Sequence, residues 1–341
     1  MIPLVGAPQH YAWGSFTAIP TALGLEPDGR PWAELWWGTH PGGRTLAQRE
    51  VADSGVGEAV PLVDVAGHLP YLVKLLAAER PLSLQAHPSA EEAAAGFAHE
   101  ERAGVPVTAG HRLFRDPYAK PELLIAVTPF DALCGFRPAE DAAAEIEAAG
   151  SVEIAGHLRA HGSLATVAWL LRERPAISVD HPRFRRLAAE YPGDPGALVA
   201  LLLHEVHLTP GEALYVDTGV LHSYLGGIAL EVMGASDNVM RGGLTAKHID
   251  VDALIGILTP HSYVPAVLRP DVDGWYATPT TTFAVQGLIG ATAWTATGPE
   301  IVVRLSGSGD TAAWFAPSGT EVRWDDGLGC RIVSPGRIAA G

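Results

Sequence analysis

The segment Pro81-Leu82-Ser83-Leu84-Gln85-Ala86-His87-Pro88 sets a hydroxyl, an amide and an imidazole at alternate positions. On a strand, Ser83, Gln85 and His87 share one face, because side chains alternate with a period of two. An amide oxygen and an imidazole nitrogen two residues apart can both reach one metal ion. A second segment, Lys120-Pro121-Glu122, opens the apolar run Leu123–Val127. A lysine and a carboxylate at the mouth of a buried strand must be paired, exposed or used. Alone, the first pair reads as polar strand face and the second as a strand-end ion pair.

Two further segments make these readings chemical. Thr209–Tyr224 reads as a strand, a tight turn at Gly219 and a return strand carrying His222. Small β-barrels of the cupin kind use this pattern to turn a histidine inward. Gln85, His87, Glu122 and His222 together offer two imidazoles, a carboxylate and an amide oxygen. Nitrogen and oxygen donors without a thiolate suit zinc or another borderline divalent ion. In Leu230–Lys247, Arg241 and Lys247 flank the glycine-rich turn Gly242-Gly243. A fork-shaped guanidinium and a point-charge ammonium beside exposed backbone suit a phosphate group.

The elements that must position these groups are mostly strands. The expected ones include Tyr71–Leu75, Leu82–His87, Leu123–Val127, Ala213–Val216 and Ile228–Met233, with Thr280–Leu288, Glu300–Leu305 and Thr311–Phe315 in the tail. Ser89 followed by Ala-Glu-Glu starts a helix. Residues 138–203 carry helical composition, which Pro175, Pro182, Pro192 and Pro195 are expected to cut into short pieces. Alternating βαβ order is absent, which excludes a doubly wound parallel sheet.

The chain has 341 residues, with 48% hydrophobic and 18% charged residues and a net charge of -15. This balance disfavours a nucleic-acid partner, which needs a basic surface. Cys134 and Cys330 are too few for a disulfide framework. The longest apolar runs fall far short of a membrane span, and the N-terminus lacks signal-peptide character, so a cytoplasmic protein is expected. Several motifs fail on inspection. The glycine pairs Gly55/Gly57 and Gly307/Gly309 lack the third glycine of a dinucleotide loop. His204 and His207 stand three apart rather than four and read as a solvated helix end, and Gly234-Ala235-Ser236-Asp237 lacks the last glycine of a nucleophile elbow.

In order, these segments resemble the type I phosphomannose isomerases. The likeness takes in Tyr11-Ala12-Trp13-Gly14-Ser15, Ala33–Pro41, Leu69–Leu76 and Phe130–Arg137, and covers about three quarters of the chain. It implies a mainly β protein. A cupin-type jelly-roll catalytic domain (1–138 with 205–260) would carry a helical insertion (139–204) and a C-terminal jelly-roll-like β domain (261–341). It also implies zinc-dependent interconversion of mannose 6-phosphate and fructose 6-phosphate, feeding mannose and GDP-mannose metabolism, with one Zn2+ per chain on Gln85, His87, Glu122 and His222. Family active-site positions fall on Lys74, Lys120, Lys247, Arg241 and Glu231, and pocket positions on Ser83, Trp13 and Glu34.

For proton transfer between C2 and C1 the expected base is Glu231, with Lys120 and a zinc-bound water as rivals; Arg241 and Lys247 take the phosphate. The sequence departs from the family at Ala119, where a histidine usually stands, and at Gly242 and Ala246 in the phosphate loop. The missing histidine motivates a second reading, a metal-binding sugar-phosphate binder or regulator without turnover. A metal-dependent oxygenase is disfavoured by Gln85 and the phosphate-ready loop. Expected partners are a small sugar phosphate, no nucleic acid and no membrane, with a monomer favoured.

Overall fold

The computed structural model describes residues 1–49, 58–305, 312–325 and 327–334. Strands β1 (Ile2–Val5), β2 (Ala7–Gln9), β3 (Glu34–Gly38), β4 (Leu46–Arg49), β5 (Glu58–Pro61) and β6 (Tyr71–Ala78) precede β7 (Leu84–Ala86), β8 (Glu122–Ala126) and β9 (Phe130–Phe136). After a helical stretch come β10 (Leu203–Leu208), β11 (Ala213–Val216), β12 (His222–Gly234), β13 (Met240–Gly243) and β14 (Val267–Leu268). The tail adds β15 (Ala284–Ile289), β16 (Thr292–Thr295), β17 (Glu300–Leu305), β18 (Ala312–Ala316), β19 (Glu321–Trp324) and β20 (Leu328–Val333). The pairing is antiparallel, giving the mainly β, cupin-type architecture expected from the sequence.

One strand organises the site. The second half of β12 lies between β6 and β8 in a sheet of order β14-β11-β8-β12-β6-β3-β2, while its first half lies between β7 and β9. The change of sheet falls at an irregularity between Tyr224 and Gly226. There Gly227 has φ +116°, and a Cβ on it would stand 2.6 Å from the Pro129 carbonyl oxygen. Only glycine makes this corner without strain.

Alternation then assigns the faces. From β6, Tyr71, Val73, Leu75 and Ala77 pack with Val285, Ile301, Phe315 and Ile332 of the seven-stranded sheet β15-β20-β17-β18-β1-β4-β5. Leu76 and Ala78 point the other way, against Phe130, Ala132 and Cys134 of β9. Lys74 shares that inward parity, as do Glu34 and Trp36 on β3 and Glu122 on β8. The outer face of β7 and β9 (Leu84, Ala86, Leu133) is covered by Ile146, Leu158, Leu170 and Leu187 of the helical stretch. Strands β1, β4 and β5 hydrogen-bond into the same sheet as the tail, so the N-terminal segment serves both sheets.

The helical stretch is divided at the expected prolines: Pro175 and Pro192 each follow the last residue capping a helix, Pro182 opens one, and Pro195 caps the start of Gly196–Val199. The segment Val152–Glu173 is broken once more, at Gly162 (φ 79°), a break that no proline makes. Pro182 opens the helix Pro182–Glu190, where its missing N–H costs nothing. His204 and His207 lie on β10, not at a helix end, and His207 Nδ1 is 2.7 Å from Asp131 Oδ1. Ser89 caps the helix Ala90–Arg102 with a reciprocal bond to Glu92, as expected. The expected strand Thr311–Phe315 is found as Ala312–Ala316; Thr311 and the glycine pairs Gly55/Gly57 and Gly307/Gly309 lie outside the described residues. No helix among the described residues is long and apolar enough to cross a membrane.

Candidate active site and metal centre

His87 and His222 are fully buried, and each directs one ring nitrogen at the buried Glu122. His87 Nε2 lies 3.1 Å from Glu122 Oε1 and His222 Nε2 lies 3.3 Å from Oε2. The opposite nitrogens face backbone carbonyls: His87 Nδ1 is 2.7 Å from Asn238 O and His222 Nδ1 is 2.9 Å from Val220 O. A carbonyl only accepts, so each Nδ1 carries the hydrogen, and in its neutral form each ring offers a lone pair at Nε2. Burial, then the charge of Lys120, pushes His87 down to about 4, so that ring is neutral at neutral pH.

The consequence is lone pair against carboxylate oxygen on both sides of Glu122, and neither Nε2 has a hydrogen-bond partner. A cation held among these atoms removes the conflict, and backbone-fixed Nδ1–H groups are how metal-binding imidazoles are oriented. The three donor atoms lie within 4.8 Å of one another. Gln85 is paired through its backbone with His222, and its side chain lines the same cavity as Glu122. The residues present therefore fit Zn2+, with no thiolate in the set.

Around the donors, Tyr224 Oη donates to Glu122 Oε2 at 2.9 Å and Lys120 Nζ stands 3.4 Å from Oε1. Lys74 Nζ is 3.1 Å from Glu231 Oε2 and 3.4 Å from Glu34 Oε1, with the Trp36 ring centroid 5.0 Å away. Burial raises Glu231 above the usual carboxylate range, an effect Lys74 opposes and Glu122 and Glu34 reinforce. Glu34 is further held by Trp36 Nε1–H at 2.7 Å, so it is committed to Lys74 and Trp36.

The cavity that these groups line has a volume of about 880 Å³. Trp13 stacks on Tyr11 at its wall, with ring centroids 5.9 Å apart. Elsewhere on the wall, Arg241 donates from Nη1 to Ser83 Oγ at 2.8 Å, with Arg115 and Lys247 nearby. Burial, then the charge of Arg115, lowers Arg241; burial, then Arg241 and Arg115, lowers Lys247. These are crowded cations, and among the described residues none of the three is ion-paired to a carboxylate.

All of the sequence-derived site residues meet around this cavity, His87 and His222 through Glu122. Four further groups belong with them. Tyr224 is two residues from His222 and so shares its face, a signal the period of two carries. Asn238 holds His87 through its carbonyl, whereas Arg115 and the buried His40, 3.5 Å from Asp237, sit in irregular segments without a pattern.

Residues 1–139 match the family described as phosphomannose isomerase type I, catalytic domain. Mannose-6-phosphate isomerase of Salmonella typhimurium is 36% identical over 291 residues, covering 75% of this chain and 74% of that protein. The Homo sapiens protein of the same name is 32% identical over 326 residues, covering 78% and 74%. A crystal structure of a mutant phosphomannose isomerase from Salmonella typhimurium superimposes with a TM-score of 0.84 at 29% identity, covering 98% of this chain and 99% of that one. A zinc-bound mannose 6-phosphate isomerase structure gives 0.79 at 28% identity, with the same coverage.

Proposed function

This chain belongs to the type I phosphomannose isomerase family, and on that premise we propose that it interconverts mannose 6-phosphate and fructose 6-phosphate through an enediol(ate). One observation carries the reading. A single cavity holds a carboxylate faced by two imidazole nitrogens and a cluster of cations that, among the described residues, have no carboxylate partner. The first suits the carbonyl end of an open sugar phosphate, the second its phosphate.

Gln85, His87, Glu122 and His222 would hold one Zn2+, which would supply a Lewis acid at the carbonyl end of the open sugar. Glu231 is the base that moves the proton between C2 and C1; its raised proton affinity brings it toward the working range. Lys74 keeps that carboxylate oriented, and Lys120 is the rival base. Tyr224 fixes Glu122 and also faces Glu231. Arg241, steadied by Ser83, and Lys247 bind phosphate, Arg241 also stabilising charge near the reacting end, while Trp13 and Glu34 complete the sugar pocket.

The product pair feeds mannose and GDP-mannose metabolism in the cytoplasm, and the chain acts as a monomer. Its catalytic unit comprises 1–138 with 205–260, 139–204 is the helical insertion, and the tail 261–341 forms a β unit whose sheet is extended by β1, β4 and β5 of the catalytic unit.

The test is isomerisation of mannose 6-phosphate with and without a chelator, then with zinc added back. Activity lost and restored supports the reading. The substitution of alanine at position 119 favours a second reading, sugar-phosphate binding without turnover. Zinc-loaded, folded protein that binds mannose 6-phosphate but does not convert it would select that one.

A further inference from the structure

We infer that the turn Tyr191–Gly196 of the helical stretch is a strap that shapes the phosphate end of the cavity, with Asp194 as the positioning residue for Arg241 and Lys247. The inference rests on the phosphate reading of those two cations. Asp194 Oδ1 accepts the N–H of Gly196 at 2.7 Å and of Leu244 at 2.9 Å, and Oδ2 accepts the N–H of Thr245 at 3.1 Å. One carboxylate thus holds two successive amides of the loop between Arg241 and Lys247. Thr245 passes the constraint on, since its Oγ1 accepts the N–H of Lys247 at 3.1 Å.

The seam is backbone against backbone. A Cβ on Gly243, which has φ +124°, would stand 2.4 Å from Gly196 Cα. Leu244 follows at φ +55°, a left-handed conformation that a leucine adopts only when its surroundings impose it. Its side chain is buried in the cluster built by the helical stretch. On the other flank, Tyr191 Oη donates to Pro81 O at 2.6 Å, two residues before the Ser83 that receives Arg241 Nη1. One turn therefore ties down both segments that meet at Arg241. Asp194 does not line the cavity, and its charge is taken up by amides, so it does not neutralise the cations it places.

Asp194→Ala is expected to raise KM for mannose 6-phosphate and the inhibition constant of inorganic phosphate together, each by about tenfold. Zinc content should be unchanged, and kcat should fall by a smaller factor than KM rises, since Arg241 also serves the reacting end. Asp194→Asn keeps an amide-accepting oxygen and should show a smaller shift in the same two constants. Folded Asp194→Ala with unaltered phosphate inhibition, or with kcat lost at constant KM, overturns the strap. If Asp194→Ala does not fold, Asp194→Asn decides, and an unaltered phosphate constant overturns it. Phosphate affinity can also be read by calorimetry on zinc-loaded protein without turnover. Wild type that binds phosphate but does not isomerise would overturn the isomerase reading while leaving the strap testable.

Discussion

Lys74 and Glu231 stand directly opposite each other on β6 and β12, with Nζ 3.1 Å from Oε2, and both are nearly withdrawn from water. Lys74 is shared with Glu34, so two buried carboxylates lean on one ammonium. Glu231→Gln removes the base and keeps the shape. Solvent-hydrogen exchange at C2 should stop and kcat should fall by at least ~100-fold, with zinc content unchanged. Exchange retained at the wild-type rate, read by proton NMR in deuterated water, would remove Glu231 from the role.

The same pair sets a pH limb. Glu231 must be ionised to accept a proton, and burial already holds its proton affinity above the ordinary carboxylate range while Lys74 pulls it down. Taking the ammonium away therefore moves the affinity further up. In Lys74→Met, the acidic limb of kcat/KM should shift to higher pH, and stability should fall by about 3–5 kcal/mol because Glu34 and Glu231 lose their shared cation. A limb at the wild-type pH in a folded variant would show that Glu231 does not govern it.

Asn238 offers a test of the metal centre that touches no proposed ligand side chain. Its Oδ1 accepts the N–H of Arg115 at 2.7 Å, and its Nδ2 donates to Tyr118 O at 3.0 Å. Its own carbonyl is thereby fixed 2.7 Å from His87 Nδ1. Asn238→Ala frees that carbonyl and the imidazole it orients. Zinc affinity measured by competition with a chromogenic chelator should weaken by roughly 10–100-fold. Unchanged affinity would mean that the backbone holds His87 without the side chain.

The inward face of the site was legible because a strand's period of two is rigid. Ser83, Gln85 and His87 had to share a side, and a turn at Gly219 followed by His222 announced a return strand. The bend in β12 was not legible, since Gly226-Gly227 reads equally well as a loop; only the Pro129 carbonyl, distant in sequence, shows why glycine is needed. Nor does composition reveal that Ile2–Val5 joins the tail's sheet, because strand partners are chosen by tertiary packing. His204 and His207 lie on a strand for a related reason: the helical content upstream ends in a single 3-10 turn, and β9 then captures the chain as a strand.

The bend itself can be tested. Gly227→Ala combines a positive φ with a Cβ 2.6 Å from a carbonyl oxygen, so relief requires moving β12 or the turn at Pro129. A loss of about 2–3 kcal/mol in unfolding free energy is expected. Because His222 and Glu231 lie on opposite sides of the bend, zinc affinity and turnover should fall as well. A variant as stable as wild type in urea titration would show that the corner relaxes freely.

Between the helical stretch and the barrel, Arg183 is buried and donates from Nη1 to Ala200 O and Leu203 O, while its Nε–H reaches Glu205 Oε1 at 2.6 Å. That hydrogen bond, followed by burial acting in the opposite direction and the guanidinium charge, leaves Glu205 below its ordinary proton affinity. The folded state therefore binds this proton less readily than the unfolded chain. The stability it contributes is fully present above the ordinary carboxylate range and is lost as pH falls through the lowered value. Glu205 is itself substantially solvated, so the contribution is at most about 1 kcal/mol after screening. Glu205→Gln should melt slightly lower than wild type at neutral pH, with the gap closing on acidification. Melting curves that stay parallel across that range would show that the bond to Arg183 carries no pH-linked stability.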